Sequence, residues 1–255
     1  MGDFPENGVA VVTGGSGGVG SATCRALAAA GCDVVFMYHR NTDAARKTVE
    51  AVEAHGRKAR AVSVDLRDEA AVAAFVADAA DCPGGIHTVV TAHGPFVHLR
   101  FISQIPPAQF RESMDADAFG AYNLFYAVLP HLRKSKGSVV SMVTTALGFY
   151  AKKDILSIAP KAAIAGIVKG IAVEEGRFGV RANMVGVGVL SDGMFQAQMD
   201  AGGYTPEIIE MARRSIALGT LGTSEDCANA AVFLASSKAK WISGQMLMVD
   251  GGHNV

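Results

Sequence analysis

Lys161 follows Ser157 by four residues in the stretch "LSIAPKAA", which sets an ammonium and a hydroxyl one helical turn apart on one face. Some Ser-Lys hydrolases use that spacing, but the chain has no nucleophile elbow of the G-x-S-x-G kind to support such a reading. Other groups nearby in the sequence carry chemistry of their own. Thr144, in "SMVTTA", offers a hydroxyl that can orient a carbonyl. Asp117, in "SMDADAFG", can pair with Lys161 or act as a base, against the default of a solvated or capping carboxylate. Tyr150 supplies a phenol, and His93 an imidazole that can titrate near neutral pH. The glycine run "TGGSGGVG", Thr13 to Gly20, follows the apolar "VAVV" and reads as a phosphate cradle, with an ordinary tight turn as the plainer alternative. Histidines and acids lack metal-ligand spacing, so no metal site is expected.

These residues need a scaffold, and the composition bounds it. The chain has 255 residues, half of them apolar, which is ample for a sizeable core. A formal net charge of -1 without long charged blocks argues against a nucleic-acid groove or an anionic membrane surface. No apolar run looks long and charge-free enough to span a bilayer, and "MGDFPENG" has no signal-peptide core, so a soluble, cytoplasmic protein is expected. Cys24, Cys32, Cys82 and Cys227 have no paired spacing, as in a reducing compartment.

Short β-branched runs alternate with alanine-rich helical segments. Strands are predicted at Val9–Thr13, Asp33–Tyr38, Lys58–Val64, His87–Thr91, Ser138–Val143, Val180–Val185 and Met246–Val249. Helices are predicted to begin near Gly18, Thr42, Asp68, Pro107, Ser157, Pro206 and Ser224. Most strands are apolar on both faces, so the fold expected is α/β: a Rossmann-like, doubly wound, mostly parallel seven-stranded sheet with helices on both faces. One domain over 1–255 is the simplest account. The segment 188–217, whose first part, Gly188 to Thr205, is rich in Gly and polar residues, reads as a mobile lid.

In such a sheet a ligand lies beyond the carboxyl ends of the strands, where the first helix presents free N–H groups to an anion. Gly14, Gly18 and Gly20 permit the tight turn and the close approach of a pyrophosphate. The second strand ends at His39, Arg40 and Asn41 with no acid, which favours NADP(H) over NAD(H). An ordinary solvated role for Arg40 is the alternative.

Over nearly its whole length the chain resembles the short-chain dehydrogenase/reductase family. The spacing Thr13-Gly14-x-x-x-Gly18-x-Gly20 is similar to that family's cofactor motif, Asp65 falls where the family holds the adenine, and Gly94 closes the fourth-strand motif. The tail, "LGTLGTSEDCANAAVFLASSKAKWISGQMLMVDGG", resembles the family's last helix, last strand and closing Asp250-Gly251-Gly252. The resemblance implies cofactor contacts from Thr13, Gly14, Ser16, Gly18, Val19, Gly20, His39, Arg40, Asn41, Asp65, Leu66, Ala92, His93, Gly94, Lys161 and Gly188.

Where the family's chemistry belongs, the chain departs from it. The position of the family's Tyr, four residues before Lys161, is Ser157; the catalytic Ser falls on Thr144; the relay Asn falls on Asp117. The Asn-Ala-Gly motif reads Ala92-His93-Gly94, and the Pro-Gly pair with its Thr reads Val187-Gly188 with Asp192. An aliphatic hydroxyl is a far weaker acid than a phenol and falls several ångströms short, so Ser157 reads instead as an N-cap or first-turn residue of a helix ahead of Pro160. Lys161, Thr144, Ser157, Asp117 and Tyr150 are therefore the candidate catalytic set, with Tyr150 or His93 as a relocated proton donor. The longer Tyr-to-Lys spacing of the family's enoyl reductases lands on Asp154. The resemblance implies an NADP(H)-dependent oxidoreductase acting on a hydrophobic carbonyl or enoyl substrate, or else a redox-silent homologue that binds cofactor or ligand. Its pocket would be lined by Phe96–Phe101, Thr145–Tyr150 and Leu190–Tyr204. The helix "PKAAIAGIVKGIAVEEGRF" would pack against a second copy in a homotetramer or homodimer.

Overall fold

The computed structural model describes residues 2–255. Seven strands, β1 (Val9–Thr13), β2 (Asp33–Tyr38), β3 (Ala59–Ser63), β4 (Ile86–Thr91), β5 (Ser138–Thr144), β6 (Arg181–Val187) and β7 (Met246–Val249), form one sheet in the order β3-β2-β1-β4-β5-β6-β7. Every pairing is parallel. The chain therefore winds outward from β1 in one direction and from β4 in the other, leaving a crevice at the strand ends between them.

Period-two alternation explains why both faces are covered. On β1, Val9 and Val11 face one core while Ala10 and Val12 face the other. Helices α1 (Gly18–Ala29), α2 (Thr42–Glu53) and, from the far end of the chain, α9 (Ser224–Ala235) cover one face through Leu27, Val52 and Leu234. Helices α3 (Glu69–Ala80), α5 (Gly120–Ser135) and α6 (Ile155–Glu174) cover the other through Val72, Leu124 and Ile164. Leu27, Leu124 and Ile164 are fully buried, each contributing roughly 1.5–3 kcal/mol. The remaining helices are α4 (Pro107–Met114), ahead of α5, and α7 (Phe195–Asp200) and α8 (Pro206–Ser215), between β6 and α9.

Two departures from the sequence reading bear on the site. A single helix from Pro107 was expected, but a π turn at Asp115–Phe119 separates α4 from α5. Such a turn adds a residue to the helical register, and Asp117 within it is buried. Helix α6 begins at Ile155, two residues before the expected start, with Asp154 as its N-cap, so of the two roles read for Ser157 the first-turn one holds. Pro160 lacks the N–H that would meet the Leu156 carbonyl, and the Ser113 hydroxyl of α4 donates to that carbonyl instead.

The expectation about apolar runs is also corrected. Helix α6 has the length and composition to cross a membrane, with a mean hydropathy of 1.6 over an 18-residue stretch, because its core-facing Ile and Val are interleaved with Ala and Gly. Here it packs on β5 and β6.

Candidate active site

The sheet's carboxyl edge gathers the chemistry. A cavity of about 490 Å³ opens over the ends of β1, β2, β4, β5 and β6 and is bordered by Gly14, Ser16, Gly18, Val19, His39, Ala92, His93, Gly94, Asp117, Thr144, Ser157, Lys161 and Gly188.

At one end is the glycine run. Gly14 has φ +67°, and a Cβ there would meet the Ala92 carbonyl at 2.7 Å. At Gly20 a Cβ would approach the Gly14 carbonyl to 2.1 Å, and at Gly18 it would lie 2.6 Å from Gly193 Cα. These three glycines let the turn, the helix and the backbone at Gly193 touch. Gly17 at the N-cap of α1 makes no side-chain cap bond, and no acid occupies the first turn, so the leading amides keep their capacity for an anion. The cradle fits a phosphate on its own geometry.

Beyond it the β2 tip carries His39 and the exposed Arg40, which joins no ion pair among the described residues. Asn41 is spent locally, its Oδ1 accepting from the Ala44 N–H to cap α2. Asp65 does not border the cavity. The Arg67 guanidinium grips its carboxylate and holds it down to about 2, with His39 Nε2 at 3.8 Å. Leu66 also lies outside, its carbonyl accepting from Asn123.

At the other end is an ion pair. Lys161 Nζ donates to Asp117 Oδ1 at 2.8 Å and to the His93 carbonyl at 2.9 Å. Asp117 is 2% exposed, so it is a buried partner and the expectation of a solvated or capping carboxylate is corrected. The His93 ring is defined by its neighbours: Nε2 donates to the Asp117 carbonyl at 3.2 Å, which leaves Nδ1 to accept from the Thr13 hydroxyl at 2.7 Å. Thr13 Oγ1 in turn accepts from the Ala92 N–H, so Thr13 is a tie between β1 and β4. Burial pushes the His93 imidazole below its ordinary value, and with both nitrogens engaged it is held neutral, which corrects the expectation that it titrates near neutral pH.

The hydroxyls are differently placed. Thr144 Oγ1 accepts from the Ala146 N–H and keeps its own hydrogen to donate. Ser157 borders the cavity one turn before Lys161. Tyr150 does not reach it: the ring is 57% exposed and is not part of the wall, which removes it as a donor near Lys161. The stretch Thr145–Tyr150 contributes nothing to the lining, because the chain turns down after β5 through a 3-10 turn. Gly188 is needed for packing, since a Cβ would lie 2.7 Å from Asp250 Cα.

Three further polar groups border the cavity: Asp154, where the longer enoyl-reductase spacing falls, and Gln198 and Tyr204, within the expected Leu190–Tyr204 lining. Asp154 and Tyr204 face the cavity from the start of α6 and from the α7–α8 connection. Gln198 is 8% exposed; its Nε2 donates to the Val97 carbonyl while Oε1 has no partner. Val97, Leu99, Met142, Leu156, Leu190, Met194 and Phe195 make the rest of the wall apolar. Asp192 ties the segment after β6 to α9, accepting from the Ser224 N–H and hydroxyl. No metal-holding cluster occurs among the described residues.

Comparison with known proteins decides the family. A family model described as enoyl-(acyl carrier protein) reductase matches residues 14–254. The 7alpha-hydroxysteroid dehydrogenase of Escherichia coli strain K12 is 30% identical over 245 residues, covering 95% of this chain and 92% of its own. The chain belongs to the short-chain dehydrogenase/reductase family. Among solved members, a short-chain type dehydrogenase/reductase from Mycobacterium ulcerans superposes with a TM-score of 0.91 at 25% identity, covering 98% of this chain and 90% of that one. A 7 alpha-hydroxysteroid dehydrogenase complexed with NADH and 7-oxo glycochenodeoxycholic acid gives 0.88 at 26% identity, covering 98% and 96%. Named relatives in both comparisons are dehydrogenases and reductases, and this short-chain dehydrogenase/reductase is an oxidoreductase like them.

Proposed function

We propose that this enzyme is an NADP(H)-dependent reductase of a hydrophobic carbonyl or enoyl compound, working through a proton donor other than a phenol one turn before Lys161. The observation that carries this reading is continuity: one cavity joins the free amides of α1 to Lys161 and then to an apolar wall of Val97, Leu99, Leu156 and Phe195. When bound, the nicotinamide supplies hydride chemistry. Gly17 and Gly18 would hold its pyrophosphate, His39 and Arg40 a ribose 2′-phosphate, and Lys161 the ribose hydroxyls near the reacting centre. Thr144 donates to the substrate oxygen and fixes its direction. The lid segment 188–217, pinned at Asp192, closes the apolar side and excludes water.

Self-association belongs to the same reading. The outer face of α6 leaves open space beside Gly166 and Gly170, and α5 exposes Tyr122 and Tyr126, which suits close packing against a second copy in a homodimer or homotetramer. Three of the four free cysteines are buried, which supports a reducing, cytoplasmic setting.

Fluorescence titration with NADPH and NADH, followed by turnover on ketones, enoyl thioesters and quinones, tests the proposal. NADPH is expected to bind more tightly and to be oxidised by at least one apolar substrate. Tight binding without turnover of any class would overturn it in favour of a redox-silent binding protein.

A further inference from the structure

The titratable side chains bordering the cavity are His39, His93, Asp117, Asp154, Lys161, Asp192 and Tyr204, and most are already engaged. Asp117 is paired with Lys161; His93 uses both nitrogens; Asp192 accepts twice from Ser224; His39 lies toward Asp65 at the far end. Asp154 and Tyr204 are left, and neither side chain makes a hydrogen bond within the described residues.

For Asp154 that isolation is unexpected. Asp is among the strongest N-cap residues, because its carboxylate accepts from the amides two or three positions on. Elsewhere in this chain such positions are used: Asn41 caps α2, Asp68 caps α3, Thr205 caps α8 and Thr223 caps α9. At the start of α6 the Asp154 backbone carbonyl accepts from Ser157 and Ile158, but the carboxyl makes no cap bond and borders the cavity. Steps of three and four along the chain bring Asp154, Ser157 and Lys161 onto one side of α6. Lys153, the adjacent cation, is drawn away over the Phe101 ring at 4.9 Å and does not pair with it.

We propose that the Asp154 carboxyl is the acid that delivers the proton in the reduction, with Tyr204 closing over it from the lid; this deepens the function proposed above and rests on it. With no donor to stabilise its anion, the partly buried carboxyl favours its protonated form, and desolvation lifts it to about 7. The Tyr204 phenol moves the other way from usefulness, raised above its ordinary value first by burial and then by the charge on Asp154. Of the two, the carboxyl is the acid matched to neutral pH. In a carbonyl reduction, the carbonyl carbon would receive a hydride, one proton with two electrons, from the reduced nicotinamide, the reductant of the proposed function. The carboxyl O–H bond breaks as the product O–H forms, and the carboxylate left behind is reprotonated from water.

Two readouts test this in the full chain. Carboxyl carbon NMR on aspartate-labelled protein without cofactor is expected to show one carboxyl titrating near neutrality, absent from Asp154→Asn. With NADPH and a turned-over substrate, Asp154→Asn is expected to lower kcat by roughly a hundredfold or more at unchanged NADPH affinity. Asp154→Glu should restore part of the rate with a shifted pH profile, and circular dichroism of each variant checks that it is folded. Wild-type turnover that Asp154→Asn leaves intact, or the absence of any Asp154 signal titrating above the ordinary aspartate range, would overturn this assignment alone. Absence of wild-type turnover on every substrate class would overturn it together with the reductase reading.

Discussion

The Asp154 carboxyl also leaves a mark on stability that needs no substrate. Its folded value of about 7 lies above its ordinary 3.8, so the native state binds this proton more tightly than the unfolded chain does. The contribution is therefore fully present below about pH 4 and is lost as pH rises through 7. At about 1.4 kcal/mol per unit the loss between 3.8 and about 7 has a ceiling of about 4 kcal/mol, and water reaching the partly open cavity trims it to about half. Asp154→Asn removes the titration without removing a cap bond, because none is made. Denaturant unfolding of both proteins from pH 4 to pH 8.5 should give a difference that grows by about 2–4 kcal/mol in favour of Asp154→Asn, accumulating between the unfolded and folded values and levelling off above about pH 7. For a chain of this size that is roughly 5–15 °C in Tm at the alkaline end. A difference independent of pH would refute the reasoning, because an ordinary, solvated aspartate would produce it.

Other consequences can be checked in parallel. Lys161→Met strands Asp117 as an uncompensated buried charge and should cost roughly 3–5 kcal/mol, whereas Lys161→Met with Asp117→Leu should recover most of it in chemical denaturation. Arg40→Ala should weaken NADPH binding roughly ten- to hundred-fold through the loss of about 1.5–3 kcal/mol of charged hydrogen bonding, with NADH binding unchanged by fluorescence titration. Gly18→Ala drives a Cβ into Gly193 Cα and should push the Gly193 backbone away from the cradle, read as a loss of NADPH affinity alongside a lowered Tm.

Much of the scaffold is written in local pattern. The runs at Val9–Thr13, Asp33–Tyr38 and Met246–Val249 coincide with strands because β-branched residues apolar on both faces suit a covered parallel sheet. The glycine run was legible because backbone contact at Gly14 and Gly20 tolerates no Cβ. What escaped the sequence reading is tertiary. Tyr150 is near Thr144 along the chain yet turns outward, and the whole stretch Thr145–Tyr150 leaves the cavity wall with it. The neutrality of His93 follows from burial and from the Asp117 and Thr13 bonds, none of which its neighbours in sequence reveal. Spacing from Lys161 singles out Asp154, but its missing cap bond is a fact of three dimensions.

The Lys161–Asp117 contact also limits how this site can be converted. Two of the three ammonium hydrogens are committed to Asp117 and the His93 carbonyl, and the positive charge is compensated by a buried carboxylate. A phenol grafted at Ser157 would meet an ion pair instead of a bare cation, and its acidity would gain little from the neighbour. Restoring the family's acid is thus a change of at least two residues, 157 and 117 together, and neither substitution by itself lies on an uphill path of activity.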